Sequence, residues 1–146
     1  MGPPPDPDTG EVCVPVSPDG QYAMGLHVLR NPDRHDAVIT GLSLVEPKGL
    51  TLVGGVVLTI DNTAVGVQTS WPPQGEADTP AWHSAVPAEG ATIPAGSAFQ
   101  KNLVLHLSGR PRTPASLKAL KVAYRIGDHK YEMQTTYAVQ IKAKCF

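Results

Sequence analysis

Cysteine is scarce in this chain: Cys13 and Cys145 stand near opposite ends, and there is no other. A dense disulfide net is therefore excluded, and the fold has to rest on a hydrophobic core, which a chain of 146 residues is long enough to build. Charge of either sign is not in excess. The net charge of −1 and the isoelectric point near 6.5 exclude a basic groove for nucleic acid. No apolar run can cross a bilayer, because the longest, Leu50 to Ile60, is short and interrupted by glycine. Aromatic residues are few (two Trp, four Tyr and two Phe), so the core has need of them. The first residues, Met1-Gly2-Pro3-Pro4-Pro5-Asp6-Pro7-Asp8, lack the basic and apolar regions of a signal peptide. Residues 1–10 read instead as an extended, Pro/Asp-rich linker ahead of a single domain over residues 11–146. Three origins fit it: a cytosolic protein, a chain cut after its targeting segment, or an ectodomain cut from a membrane anchor.

What is abundant is proline and glycine, 15 and 14 residues. They punctuate the chain about every ten residues, as short strands joined by turns require. From Tyr131 to Cys145 every second residue is apolar or small, which predicts one long strand, or two joined by a bend, with one face wet. Leu120, Val122, Tyr124 and Ile126 alternate in the same way, and the Gly-led turn at 127–130 predicts a β-hairpin between the two segments. Further strands are predicted over 22–28, 38–44, 50–60, 65–69 and 99–107, with an entry strand at Val12, Val14 and Val16 that Pro15 marks as an edge. Gly54-Gly55 predicts a bulge or bend. One short helical turn is expected over Pro114–Leu120, with Thr113 as cap. Seven to nine strands at this spacing predict an immunoglobulin-like, two-sheet Greek-key sandwich, with a small β-barrel as the alternative.

The two cysteines admit two readings, a pair of unrelated buried thiols or one disulfide stapling the first strand to the last. The second implies an oxidising compartment. The five histidines show no metal-ligand spacing. Met24 and His27, three apart on a strand, are expected on opposite faces, and no cofactor is implied. A nucleophile elbow, a Cys-His pair at useful spacing and a phosphate loop are all missing, so no catalytic residue is assigned. The best candidate binding residues are Trp71, Trp82 and His83, in the long irregular stretch from Ser70 to Gly96, parts of which (82–85 and 91–93) could form edge strand. Either this loop presents aromatic anchors to a partner, or its tryptophans fold back to plug one end of the sandwich.

Several segments, Gly41 to Val45 with Lys48-Gly49-Leu50, Trp71-Pro72-Pro73, Ala91 to Gly96 with Asn102 to Leu105, and the Val122 to Cys145 hairpin, together resemble uncharacterised extracytoplasmic immunoglobulin-like domains of actinobacteria. The resemblance covers most of the chain through generic sandwich turns and carries no catalytic residue over. It implies secretion or anchoring outside the cell and pairing of Cys13 with Cys145. The expected function is a non-enzymatic binding or interaction domain whose partner is a protein or a component of the cell envelope. A small-molecule pocket protein or enzyme is the second expectation. A copper or zinc carrier using His27, Met24 or His83 is the third.

Overall fold

The computed structural model describes residues 10–60, 65–75, 78–135 and 137–145. The linker expected over residues 1–10 lies almost wholly outside them. Among the described residues twelve strands alternate with turns: β1 (Glu11–Pro15), β2 (Gln21–Asn31), β3 (Ala37–Val45), β4 (Leu50–Thr59), β5 (Gly66–Gln68), β6 (Val86–Pro87), β7 (Thr92–Ile93), β8 (Ser97–Gly109), β9 (Ala115–Leu117), β10 (Ala119–Ile126), β11 (His129–Gln134) and β12 (Ala138–Lys142). One four-residue helix, α1 (Pro80–His83), interrupts them.

The strands form two layers. The back layer is a sheet of order β5-β2-β8-β4-β6. The front layer is built from two sheets, β1-β12-β9 and β11-β10-β3-β7. These are halves of one surface. Only Lys118 separates β9 from β10, and backbone hydrogen bonds from Lys118 N to Val45 O and from Thr135 N to Leu120 O carry the pairing across the bend. Within the layers β2-β8-β4 and β3-β10-β11 follow the B-E-D and C-F-G orders of an immunoglobulin-like sandwich, and neither layer closes into a barrel. The edge strand β1 runs parallel to β12, pairing Val12 with Val139 and Val14 with Ile141. Cys13 and Cys145 form the disulfide, with Cα atoms 5.7 Å apart.

The inward faces obey the two-residue period. Leu103, Leu105 and Leu107 of β8 meet Ile39, Leu120, Val122, Val139 and Ile141 of the front layer in one core. The long C-terminal strand behaves as its alternation predicts at Met133, Thr135, Val139 and Ile141, all buried. Tyr131 and Tyr137 are on the same parity but reach the end and the bend of the layer, where they remain 46% and 37% exposed. The hairpin turn is two residues long, Gly127-Asp128, with Gly127 at φ 60°, a value glycine tolerates. His129 and Lys130 are therefore already strand.

Three expectations are corrected. The segment over 114–120 is extended rather than helical, because Ser116 pairs with Lys48 and β9 pairs with β12. The helix lies instead at Pro80–His83, within a region expected to be loop with some edge strand, where the Thr79 hydroxyl caps the Trp82 amide at 3.2 Å and Pro80 occupies the first turn. Met24 and His27 do not face opposite ways. The β2–β8 register shifts between them, so that Met24 pairs with Leu105 and His27 with Leu103, both on the core side.

Buried Asn102 holds that irregularity together. Its side-chain amide donates to the carbonyls of Gly25 (2.9 Å) and His27 (3.0 Å), and its Oδ1 accepts from the Val65 amide at 2.8 Å. Gly25 itself has no room for a side chain, since a Cβ there would lie 2.8 Å from the Cβ of Val65. Asn102→Leu keeps the branched four-atom skeleton of the side chain and leaves three buried backbone groups without their side-chain partner, at about 1–3 kcal/mol each. It is expected to lower the unfolding free energy by about 3 kcal/mol or more, read from the urea midpoint at unchanged slope. Replacing both cysteines by serine opens a loop spanning 132 positions and is expected to cost about 3–5 kcal/mol in the same measurement.

Candidate functional site

The outward face of β8 carries Asn102, Val104 and His106, and that of β2 carries Gln21 and Ala23, with Ala23 opposite His106 in the register. In a two-layer sandwich this face would meet water. Here residues 69–75 and 78–85 fold over it. Trp71, Ala81, Trp82 and Ala85 pack on a second apolar cluster made of Ala23, Leu58, Val65 and Val104. Both faces of β8 are therefore covered around Val104, which accounts for the uninterrupted burial of Leu103, Val104 and Leu105.

The two tryptophans come together in that cover. Their ring centroids are 5.3 Å apart, edge to face. Trp71 also stacks on His106, with centroids 4.4 Å apart and planes 3° from parallel. Gln21 fixes the imidazole: its Oε1 lies 2.6 Å from His106 Nε2, and its Nε2 is 3.2 Å from the Ser108 hydroxyl. With a carbonyl oxygen as acceptor, Nε2 carries the hydrogen. Partial burial under the indole lowers the pKa of His106 below the usual histidine value, so the ring is neutral at neutral pH.

Trp71 and Trp82 are half-buried, and His83, at the end of α1, is exposed. The tryptophans do fold back, but onto the outer face of the back layer rather than into one end of the sandwich. They leave a surface on which part of each indole, His83, Pro72 and Pro80 meet solvent. His106 is the member of this cluster that sequence reasoning missed. On an alternating strand it reads as a solvated residue, and only the return of the loop covers it.

The remaining candidate ligands are not assembled. Met24 and His27 lie on the core face of β2, and His83 lies on the outside of the back layer. Among the described residues no group of three or more His, Cys, Asp or Glu is placed to hold a metal ion. No helix among them is long and apolar enough to cross a membrane. No family model, curated protein or solved structure matches the chain.

His27 is a buried histidine whose ring nitrogens have no hydrogen-bond partner among the described residues. Desolvation alone pushes its pKa down to about 4. The folded protein therefore resists protonation that the unfolded chain accepts below about pH 6.5. Stability is complete above that pH, falls as the pH drops toward 4, and changes no further below it on this residue's account. The loss between those limits is about 3 kcal/mol. Urea unfolding at pH 7.5 and pH 4.5 should show most of it, and His27→Leu should remove that part of the difference.

Proposed function

We propose that this chain is a non-enzymatic binding module that works outside the cytoplasm, with the Trp71–Trp82–His83 surface as its contact site. The observation that carries the reading is the aromatic corner itself. Both tryptophans of the chain are gathered on one side of a hydrogen-bonded sheet, braced by His106 and Gln21, with part of their surface left open. Tryptophan in a rigid setting is the side chain most often found at the energetic centre of protein interfaces. Pro72, Pro80 and His83 give it a rim that loses little conformational freedom when a partner docks.

The compartment rests on separate support. A disulfide between the first and last strands belongs in an oxidising environment, because cytosolic reductants keep most thiols reduced. The resemblance to extracytoplasmic immunoglobulin-like domains of actinobacteria points the same way, and a protein or envelope component is the partner class it suggests.

Two measurements test the reading. Protein recovered from its own host, denatured without reductant and treated with a thiol label, is expected to show no free cysteine. Two labelled thiols would remove the case for an oxidising compartment. Labelled domain applied to peptide and glycan arrays and to host envelope preparations is expected to bind. His83→Ala should weaken the signal severalfold and Trp82→Ala should abolish it, with melting temperatures tracked for both. Equal binding by wild type and His83→Ala, together with full binding by a folded Trp82→Ala, would move the contact site elsewhere.

A further inference from the structure

The outer face of the front layer differs from that of the back layer in being bare. Thr40 and Ser43 of β3, Arg125 of β10, and Lys130, Glu132 and Gln134 of β11 are all exposed on it. Within this face Arg125 and Lys130 stand directly opposite each other in the β10–β11 register. Antiparallel partners are only about 4.5–5.5 Å apart at Cα, and like charges in such a pair repel. Among the described residues neither cation has an ion-pair partner. Of the acids around them, Glu132 is engaged by Lys121 at 3.6 Å, Asp33, whose charge reaches Tyr124, contacts His35, and Asp128 sits in the hairpin turn. Two positive charges are thus left side by side without a direct ion pair.

Next to them lies a hollow of about 630 Å³, lined by Arg125, Lys130, Glu132, Thr40 and Ala123 together with the stacked pair Tyr124 and Tyr131. Backbone irregularity shapes it. The β3–β10 register slips between Ala123 and Tyr124: Gly41 pairs with Ala123 and Ile39 with Tyr124, which leaves Thr40 as the extra residue on the rim. A guanidinium, an ammonium and a hydroxyl, with the Glu132 carboxylate among them, border a depression whose size is that of small-ligand sites.

We propose that this hollow is a binding site for a small phosphomonoester, a ligand class that the aromatic corner on the other layer does not address. A phosphate monoester carries a charge of about −1.5 to −2 at neutral pH, which matches the two cations without a direct ion pair, whereas a carboxylate matches one of them. The guanidinium of Arg125 offers a planar fork for two phosphate oxygens, Lys130 supplies a point charge to a third, and Thr40 can donate from the rim. The organic part of the ligand lies over Ala123.

The test is a titration of the isotope-labelled full chain, followed by amide chemical shifts, at matched ionic strength. Inorganic phosphate and glycerol phosphate are the probes, and gluconate is the carboxylate control. Saturable shifts centred on Thr40, Ala123, Arg125 and Lys130 are expected with both phosphates, together with about tenfold weaker binding of gluconate. Arg125→Gln should weaken glycerol phosphate by about tenfold. Lys130→Glu places opposite charges across the hairpin, so it should fold at least as well as the parent while abolishing binding. Shifts that fail to saturate, or saturation unchanged in Lys130→Glu, would overturn the site. Equal affinity for gluconate and glycerol phosphate would overturn the phosphate assignment.

Discussion

A single buried amide sets the geometry of the back layer. Asn102 sits in the buried stretch of β8 and satisfies the carbonyls of Gly25 and His27 on one side and the Val65 amide on the other. In apolar surroundings each of those groups would be costly to leave alone. The irregularity in β2 therefore persists only because a side chain of the right shape and polarity faces it. Its effects spread in two directions. His27 is turned toward the core, and the segment beginning at Val65 is tied down where it must start if Trp71 is to reach His106. Asn31 does comparable work at the far end of β2, donating to His35 O and Ile93 O and so fixing the turn into β3 and the position of β7.

The layers have unlike exteriors for a related reason. The back layer is covered by residues 69–75 and 78–85, and its outward residues behave as a second small core. The front layer carries its polar residues on the outward side of β3, β10 and β11, and nothing among the described residues covers them. One exterior is thus aromatic and braced, the other charged and open. The same chain presents two chemically distinct faces without any insertion of a second domain.

Much of this architecture is legible in the sequence. The alternation from Leu120 through Ile141 gives the hairpin, the wet face and the buried face, because a two-residue period has only one geometric meaning. Proline and glycine locate most turns. Gly54-Gly55 marks the register shift of β4 against β8, but the other breaks in that period escape. Met24 and His27 look opposed until one counts the extra residue between them, and that extra residue is defined by β8, about 80 positions away, rather than by its neighbours. Thr113-Pro114 carries a helix-start pattern, but pairing of β9 with β12 outweighs a local preference of a few tenths of a kcal/mol per residue. The parallel pairing of β1 with β12 has no local signature at all. The tryptophans were legible as unusual and their return to the protein could be anticipated, yet the surface they return to could not. A loop's landing place is fixed by the outer face of a sheet whose strands come from three separate regions of the chain.

The disulfide between β1 and β12 has a mechanical consequence. These strands are parallel neighbours at one edge, so tension applied at the two ends of the chain would shear them along their axes, across all of their hydrogen bonds at once. With Cys13 joined to Cys145, that load passes through a covalent link before it reaches the sandwich, and the residues between the two cysteines carry almost none of it. A folded body shielded in this way can serve as a spacer under traction, keeping the geometry of its aromatic and cationic faces while its flanks are pulled.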